Sequence, residues 1–127
     1  MLAVTCGGAA IAGHLYPVYL QLKGGKAVAT GAGVLFAMNW IAGGAAVVLW
    51  LLVFLAFRYI SLASILAAPP LAVVHHFTSA YTGRPWETPW PITIFLALLS
   101  VMVIVRHRDN IGRLRRGEEK RFPEKAT

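Results

Sequence analysis

The stretch VATGAGVLFAMNWIAGGAAVVLWLLVFLAF, residues 28–57, decides the fold because it contains no charged side chain. As a single α-helix it would be about 45 Å long, whereas the hydrocarbon core of a bilayer is about 30 Å thick. The stretch is therefore too long for one straight crossing. A polar residue and two glycines interrupt the apolar pattern between Asn39 and Gly44. The sequence predicts a break there, with a short helix before it and a full crossing over 41–57 after it.

The whole chain is unusually apolar. Of its 127 residues, 57% are hydrophobic and only 13% are charged, and the mean hydropathy is +0.64. A soluble domain of this size needs many more polar side chains to cover its surface. The sequence therefore predicts an all-α integral membrane protein, a bundle of about four to five membrane helices in which one can be half-length.

Further crossings are indicated on both sides of the central stretch. The first apolar segment is interpreted as a membrane segment, because it lacks the basic region that opens a cleaved signal peptide. Two more segments follow at 60–77 and 91–105, with a kink expected at Pro69 and Pro70. The loop 78–90 joins them. We expect the full chain, residues 1–127, to form a single membrane domain.

Positive charge is concentrated on one side of these segments. Eight lysines and arginines follow the last apolar segment, within residues 106–127. Because positively charged loops stay on the cytoplasmic face, this basic tail is predicted to be cytoplasmic and the loop with Arg84 external. The predicted break then brings Lys23, Lys26 and Arg58 to the cytoplasmic side as well.

The net charge of +7 does not by itself indicate nucleic acid. The basic residues flank apolar segments, as the positive-inside rule requires, so no nucleic-acid partner is expected and membrane lipid is the expected surrounding. The single cysteine, Cys6, lies in a run of small residues and receives no function.

A glycine-rich loop forms the first polar cluster. It contains His14, then Lys23-Gly24-Gly25-Lys26, and then Thr30 in the first turn of a helix. Backbone N–H groups, two ammonium groups and the positive end of a helix dipole together favour a phosphate. The pattern is not a nucleotide P-loop, because alanine follows the Gly-Lys pair. A cytoplasmic turn with two topology-determining lysines is an equally good interpretation of the spacing.

The second polar cluster follows the last apolar segment. In a helix, Arg106, Asn110 and Arg113 share one face with His107 on its flank, and Asp109 can pair with Arg113 four residues on. Histidine and asparagine are not needed in a plain stop-transfer cluster. That simpler interpretation stays open all the same.

A third group of polar residues opens the segment after Arg58. The hydroxyls of Ser61 and Ser64 lie near one face of the predicted helix, where they can bond a ligand, a neighbouring helix or their own backbone. His75 and His76 lie toward the outer end with no carboxylate or cysteine nearby in the sequence, so no metal site is expected.

Three ordered runs resemble a known family. They are GHLYPVYLQLKGGKAVATGAGV (13–34), RYISLASILAA (58–68) and RHRDNIGRLRRGEEK (106–120), and they are similar to the bacterial acyl-phosphate:glycerol-3-phosphate acyltransferases, the PlsY family. The resemblance implies a seven-helix enzyme of the bacterial cytoplasmic (inner) membrane. Its members transfer a fatty acyl group from acyl phosphate to the 1-hydroxyl of sn-glycerol 3-phosphate, giving lysophosphatidic acid and phosphate. Acyl phosphate and glycerol 3-phosphate are then the partners, and neither a metal nor a cofactor is implied.

The resemblance also implies roles for individual residues. His107 and Asn110 match the histidine and asparagine of the last motif, and Lys26 matches a lysine of the second, so these three are the expected catalytic residues. The expected substrate-binding residues are His14, Lys23, Gly24, Gly25, Thr30, Ser61, Ser64, Arg106 and Arg113. His14 can instead be structural, fixing the glycine-rich loop. The base that removes the hydroxyl proton can be His107 or a substrate phosphate.

Two departures from the family pattern stand out. Alanine occupies position 27, where the family has glycine, which matters if that position needs a positive φ. The family's first motif, a Ser-Gly-Asn loop, is expected upstream of Met1, so the chain is interpreted as the C-terminal part of the family's fold. A non-enzymatic membrane protein that binds anionic lipid or phosphate is the alternative function, and a phosphate-group transporter is a third.

Overall fold

The structure is a computed structural model that describes residues 2–21, 24–82 and 89–122. The predicted all-helical character is confirmed over these ranges. Seven α-helices and one turn of 3₁₀-helix, Val18–Leu20, are described. The helices are α1 (Leu2–Leu15), α2 (Val28–Met38), α3 (Trp40–Phe57), α4 (Ile60–Ala67), α5 (Pro70–Thr82), α6 (Trp90–Arg106) and α7 (Arg108–Arg116).

The predicted break in the central stretch is a single residue, Asn39, between α2 and α3. Asn39 is extended, with φ of −156°, and its Oδ1 accepts a hydrogen bond from the backbone N–H of Ala42 at 3.0 Å. This is the N-cap geometry that satisfies an unpaired donor in the first turn of a helix. The expected start of the full crossing at residue 41 is wrong by one residue, since α3 begins at Trp40.

Gly43 does not contribute to the break, contrary to our expectation, and lies inside α3. A Cβ there would lie 2.8 Å from Cγ of the Phe36 ring. Such a contact is too close, so glycine is needed because α2 packs tightly against α3 at this point.

One helix of the described part of the chain, α3, has by itself the length and composition to cross a membrane. It has 18 residues, a mean hydropathy of 2.4, and only 17% of it is buried. Two bent pairs meet the same criteria, α4 with α5 at 47° and α6 with α7 at 52°, whereas α1 and α2 are apolar but shorter. The large apolar side chains exposed on the outer faces of these helices are typical of a surface that faces lipid.

The kink expected at Pro69 and Pro70 is confirmed. The chain bends between α4 and α5, and Pro70 is the first residue of α5, where a missing N–H costs no helical hydrogen bond. The predicted end of this segment at residue 77 is wrong, because α5 continues to Thr82.

Both ends of the α2–α3 pair lie at the same end of the bundle, as predicted. Lys26, just before α2, bonds Asn110 on α7. At the end of α3, the carbonyl of Arg58 accepts a hydrogen bond of 2.8 Å from the N–H of Phe122. The chain therefore enters and leaves this hairpin on one side, which we call the polar end.

Candidate active site

The glycine-rich loop is held against the end of α1. A Cβ on Gly24 would collide with the backbone carbonyls of His14 and Leu15, and one on Gly25 would lie 2.6 Å from Nε2 of His14. His14 Nδ1 in turn lies 3.0 Å from Oγ1 of Thr30 in the first turn of α2. These glycines are needed because the loop passes very close to α1, and the His14–Thr30 bond fixes the loop between two helices.

Ala27 has a positive φ, the backbone conformation that would explain why the family has glycine at this position. Its φ is +56°, in the left-handed region, and it is 1% exposed. A side chain in this region costs about 1–2 kcal/mol relative to the right-handed one, a cost that glycine avoids. Ala27 directly precedes α2, so its conformation sets the direction in which the first N–H groups of α2 point.

A chain of hydrogen bonds at the polar end joins the loop to α7. Lys26 Nζ donates to Asn110 Oδ1 at 2.5 Å. The amide Nδ2 of Asn110 donates to Glu119 Oε1 at 2.6 Å, and Arg113 Nε donates to Glu119 Oε2 at 2.7 Å. Because the carboxylate of Glu119 accepts from the amide nitrogen of Asn110, the amide oxygen is left facing Lys26.

Glu119 is held in its ionised form. Burial acts to raise its pKa, but interactions with Ser61, Asn110 and Arg113 outweigh this and lower the pKa below the ordinary 4.5. The side chain of Glu119 is 9% exposed. A carboxylate this well hydrogen-bonded is a fixed acceptor, and it orients its partners.

His107 lies at the break between α6 and α7 and is 2% exposed. Its Nδ1 lies 2.8 Å from the carbonyl oxygen of Val103, an acceptor, so Nδ1 carries the proton of the neutral ring. Nε2 is then unprotonated and can accept a hydrogen bond. This is the tautomer that a hydrogen-bond acceptor or general base requires.

The two serines of α4 differ in their hydrogen bonding. Ser64 accepts from Trp50 Nε1 at 3.1 Å and donates to the carbonyl of Ile60 at 3.0 Å. The Ser61 hydroxyl makes no hydrogen bond of normal length within the described residues, although it interacts with the Glu119 carboxylate. The buried hydroxyl of Ser61 can therefore still donate and accept hydrogen bonds. Ser64, in contrast, joins α4 to α3.

A half-open cavity of about 680 Å³ extends from these groups between the helices, and its wall residues Val47, Leu51 and Ile60 are also exposed on the outside of the bundle. Its polar lining residues are Lys26, Ser61, Ser64, His107, Asn110, Glu119 and Lys120. Its other walls come from α2, α3, α4, the start of α5 and α6, and they are almost entirely apolar. The cavity thus has charged and hydrogen-bonding groups at one end and apolar walls beyond them.

The segment after α7 folds back over the start of α4. The Phe122 ring packs on Phe54 at a centroid distance of 5.9 Å, and the Arg121 guanidinium lies 5.4 Å from the centre of the Tyr59 ring. Glu119 reaches the cavity because of this return. The described part of the basic tail, residues 106–122, thus contacts the bundle at a few points, whereas Arg108, Arg115 and Arg116 are exposed.

The structure brings five of the twelve expected site residues to the cavity. Lys26, Asn110, His107, Ser61 and Ser64 all line the cavity. Lys23 lies outside the described residues.

Other expected site residues do not line the cavity: His14, Gly24, Gly25, Thr30, Arg106 and Arg113. Arg106 donates to the carbonyl of Leu15 at 3.5 Å and lies over the Tyr16 ring. The expected pairing of Asp109 with Arg113 is wrong: Asp109 lies 3.8 Å from Arg108 Nε, and Arg113 pairs with Glu119.

Sequence reasoning missed Glu119 and Trp50. One signal for Glu119 was present, since it follows the helix-ending Gly117 and is one of few carboxylates among many cations. Trp50 carried no signal, because one more aromatic residue in an apolar helix does not stand out.

The fold and the site define a helical membrane protein whose polar end suits a phosphate and whose interior suits a hydrocarbon chain. Comparison with known proteins agrees with this class: residues 1–117 match the model of the glycerol-3-phosphate acyltransferase family. The chain belongs to that family.

Relatives in the family are clearly similar to this chain. It is 41% identical to a glycerol-3-phosphate acyltransferase of Prochlorococcus marinus (strain MIT 9301), with 96% of this chain and 59% of the relative covered. The corresponding protein of Halorhodospira halophila is 43% identical, with 96% and 58% covered. The chain thus spans somewhat more than half the length of these relatives.

Two solved structures have a similar fold. They are crystal structures of PlsY (YgiH), an integral membrane glycerol 3-phosphate acyltransferase, in a glycerol 3-phosphate form and a lysophosphatidic acid form. The TM-scores are 0.76 and 0.80, at 37% identity. The match covers 94% of this chain and 56% and 57% of the solved chains.

Proposed function

We propose that this protein transfers a fatty acyl group from acyl phosphate to the 1-hydroxyl of sn-glycerol 3-phosphate, giving lysophosphatidic acid and inorganic phosphate. One observation carries the proposal: Lys26, Asn110, His107 and Ser61 lie together at the polar mouth of a large apolar cavity. A substrate with a phosphate at one end and a hydrocarbon chain at the other fits such a site. Relatives are named glycerol-3-phosphate acyltransferase, and a solved relative is in a lysophosphatidic acid form, which supports the acyl transfer.

The phosphate groups of the substrates bind at the polar end in this proposal. The ammonium of Lys26 and the first N–H groups of α2, which have no helical acceptor, supply positive charge and donors. In this proposal Lys23, which lies outside the described residues, and the backbone N–H groups of Gly24 and Gly25 also bind phosphate.

The remaining expected substrate-binding residues support the site in different ways. Ser61 offers its buried hydroxyl directly. His14 and Thr30 act through the hydrogen bond between them, which joins α1 to α2. Ser64 accepts a hydrogen bond from Trp50, which joins α4 to α3. Arg106 and Arg113 contribute their charge to the field at the polar end, and Arg113 also fixes Glu119.

The transfer step needs positioning and charge stabilisation more than a strong catalyst, because acyl phosphate is already activated. The glycerol 3-phosphate hydroxyl oxygen forms a bond to the acyl carbon, and the bond from that carbon to the phosphate oxygen breaks. The hydroxyl proton goes to His107 Nε2 or to a phosphate oxygen, and phosphate leaves. Lys26 and the Asn110 amide hold the reacting groups and stabilise negative charge during the step.

The orientation in the membrane follows from charge. We propose a multi-pass protein of the bacterial cytoplasmic (inner) membrane, with the polar end and C-terminus cytoplasmic, because arginines and lysines are concentrated at that end. Water-soluble glycerol 3-phosphate then arrives from the cytoplasm. The acyl chain enters from the bilayer, and residues 1–127 act as one membrane domain.

The test is acyl transfer by the chain reconstituted in lipid vesicles. Palmitoyl phosphate and labelled glycerol 3-phosphate are supplied, and lysophosphatidic acid is measured. We expect His107→Ala and Lys26→Ala each to reduce the rate by about 10²-fold or more, the usual loss for one catalytic or charge-stabilising group. Arg115→Ala, which removes an exposed charge from α7, is the control and should retain most of the activity.

The non-enzymatic alternative gives a different result. In that case lysophosphatidic acid does not form, and binding of anionic lipid falls by similar small amounts in Lys26→Ala and Arg115→Ala, with no effect of His107→Ala. That pattern would overturn the proposal.

A further inference from the structure

A second, smaller cavity lies behind the inner end of the main one. Its volume is about 110 Å³. Every described residue in its lining is apolar: Ala42, Ala45, Ala46, Leu49, Ala67, Pro70, Leu71 and Val74. A cavity of this kind has no groups to bind water, and it accepts apolar groups instead.

Three residues form the wall between the two cavities. Ala46, Ala67 and Leu71 line both of them. Two of these side chains are single methyl groups, so the isobutyl group of Leu71 is the largest obstacle between the cavities. Leu71 is held in place, because it is partly buried and packs against the hydrophobic core.

The wall lies at the end of the main cavity that is remote from the phosphate-binding groups. Along α4, Ala67 lies six residues and thus about 9 Å beyond Ser61 at the polar end. The second cavity continues past the wall to Val74 on α5. A chain that starts at the polar end therefore reaches Leu71 before it can reach the second cavity.

We propose that Leu71 is the stop that sets the preferred length of the acyl chain, and that the second cavity is the space a longer chain would fill without it. This inference rests on the proposed function. The occupant is the acyl chain of the phosphate-bearing substrate or product, because the main cavity has cations and amides at its polar end and apolar walls up to the stop. Overfilling a packed apolar site reduces an equilibrium constant by a factor of about five to a hundred.

The test measures binding of lysophosphatidic acids of increasing length, from dodecanoyl to octadecanoyl, to the full chain in bilayer discs of constant composition. We expect Leu71→Ala to improve binding of the longest chain relative to the shortest by about tenfold over the unmodified protein. Leu49→Ala is the matched control, because it removes the same atoms from the far side of the second cavity and leaves the wall intact. It should not change the length profile.

Two further variants test the stop from the opposite direction. Ala67→Val adds bulk to the wall and should move the preference toward shorter chains. Ala45→Leu fills the second cavity, so Leu71→Ala combined with Ala45→Leu should return to the unmodified profile. The stop is overturned if neither Leu71→Ala nor Ala67→Val changes the profile, or if Leu49→Ala changes it as much as Leu71→Ala does.

Failure of the stop and failure of the proposed function give different results. If Lys26→Ala weakens binding at every length but the wall variants leave the length profile unchanged, the stop alone is wrong. If binding does not depend on Lys26 at any length, the phosphate end is not bound as proposed, and both the function and the stop are wrong.

Discussion

Lys26 and Asn110 are 84 positions apart in the sequence, yet a hydrogen bond joins the ammonium of one to the amide oxygen of the other. This bond connects the glycine-rich loop to the helix after the last apolar segment. The bond thereby joins two sequence clusters into one site. Taken separately, the first cluster could be a cytoplasmic turn and the second a stop-transfer cluster.

The Lys26–Asn110 bond should be measurable as an energetic coupling. We expect the double variant Lys26→Ala/Asn110→Ala to lose about 1 kcal/mol less free energy of unfolding than the sum of the single variants, because each single change already breaks the bond. Denaturant unfolding of the four proteins in micelles gives the value. The pair Lys26→Ala and Arg115→Ala should be additive, and equal additivity in both cycles would show that the bond contributes nothing.

Glu119 should make the free energy of unfolding depend on pH. Its pKa is lowered in the folded protein, so its stabilising contribution is complete above the ordinary pKa of 4.5 and is lost as the pH falls through the lower folded value. Glu119→Gln should therefore be less stable than the unmodified protein near neutral pH, with a difference that shrinks in acid. Unfolding measured across this range checks it.

The matched control for this pH effect is Glu118→Gln. Glu118 pairs with Arg116 on an exposed surface, where ion pairs contribute little. A difference for Glu119→Gln that stays constant as the pH falls would contradict the assignment.

Substitution of Asn39, at the end of the bundle opposite the polar end, should strongly reduce the free energy of unfolding. Asn39 is 1% exposed, caps α3, and donates to His75 Nδ1 at 3.1 Å and to Thr78 Oγ1 at 2.9 Å. We expect Asn39→Ala to cost about 2–4 kcal/mol, the sum of a lost cap and buried groups left unpaired. Thermal unfolding in detergent measures this loss. Thr78→Val should cost clearly less, and an equal loss would mean that the cap contributes little.

Substitution of Ala27 by glycine should stabilise the protein, whereas the same substitution of an ordinary helical alanine destabilises it. Because the φ of Ala27 is positive, Ala27→Gly should raise the free energy of unfolding by up to about 1 kcal/mol. Ala97→Gly, inside α6 on an exposed face, should lower it by about 1 kcal/mol. A loss in both variants would contradict the strain assigned to position 27.

The apolar pattern and its interruptions predicted much of the fold. Asn39 and the two prolines mark the places where helices must end, and charge placed both ends of the α2–α3 hairpin on one side. The role of Gly43 could not be predicted, since a glycine in an apolar run gives no sign of whether it breaks a helix or lets Phe36 approach.

The candidate site was only partly predictable, for a physical reason. The motif residues Lys26, His107 and Asn110 stand out as polar groups next to apolar segments. The pairing of Arg113 with Glu119 depends on how the chain turns at Gly117, a choice that local charge spacing does not determine. Helix periodicity favoured Asp109 as the partner, and tertiary structure overrode it.

We propose that the polar end binds phosphate and that Lys26 is the main residue of this site. Calorimetric binding of glycerol 3-phosphate to the full chain in bilayer discs tests it most directly. We expect saturable binding that weakens at least tenfold in Lys26→Ala, the loss of a charge-assisted contact, and is nearly unchanged in Arg115→Ala. Equal binding by the unmodified protein and Lys26→Ala, or an equal loss in both variants, would contradict it.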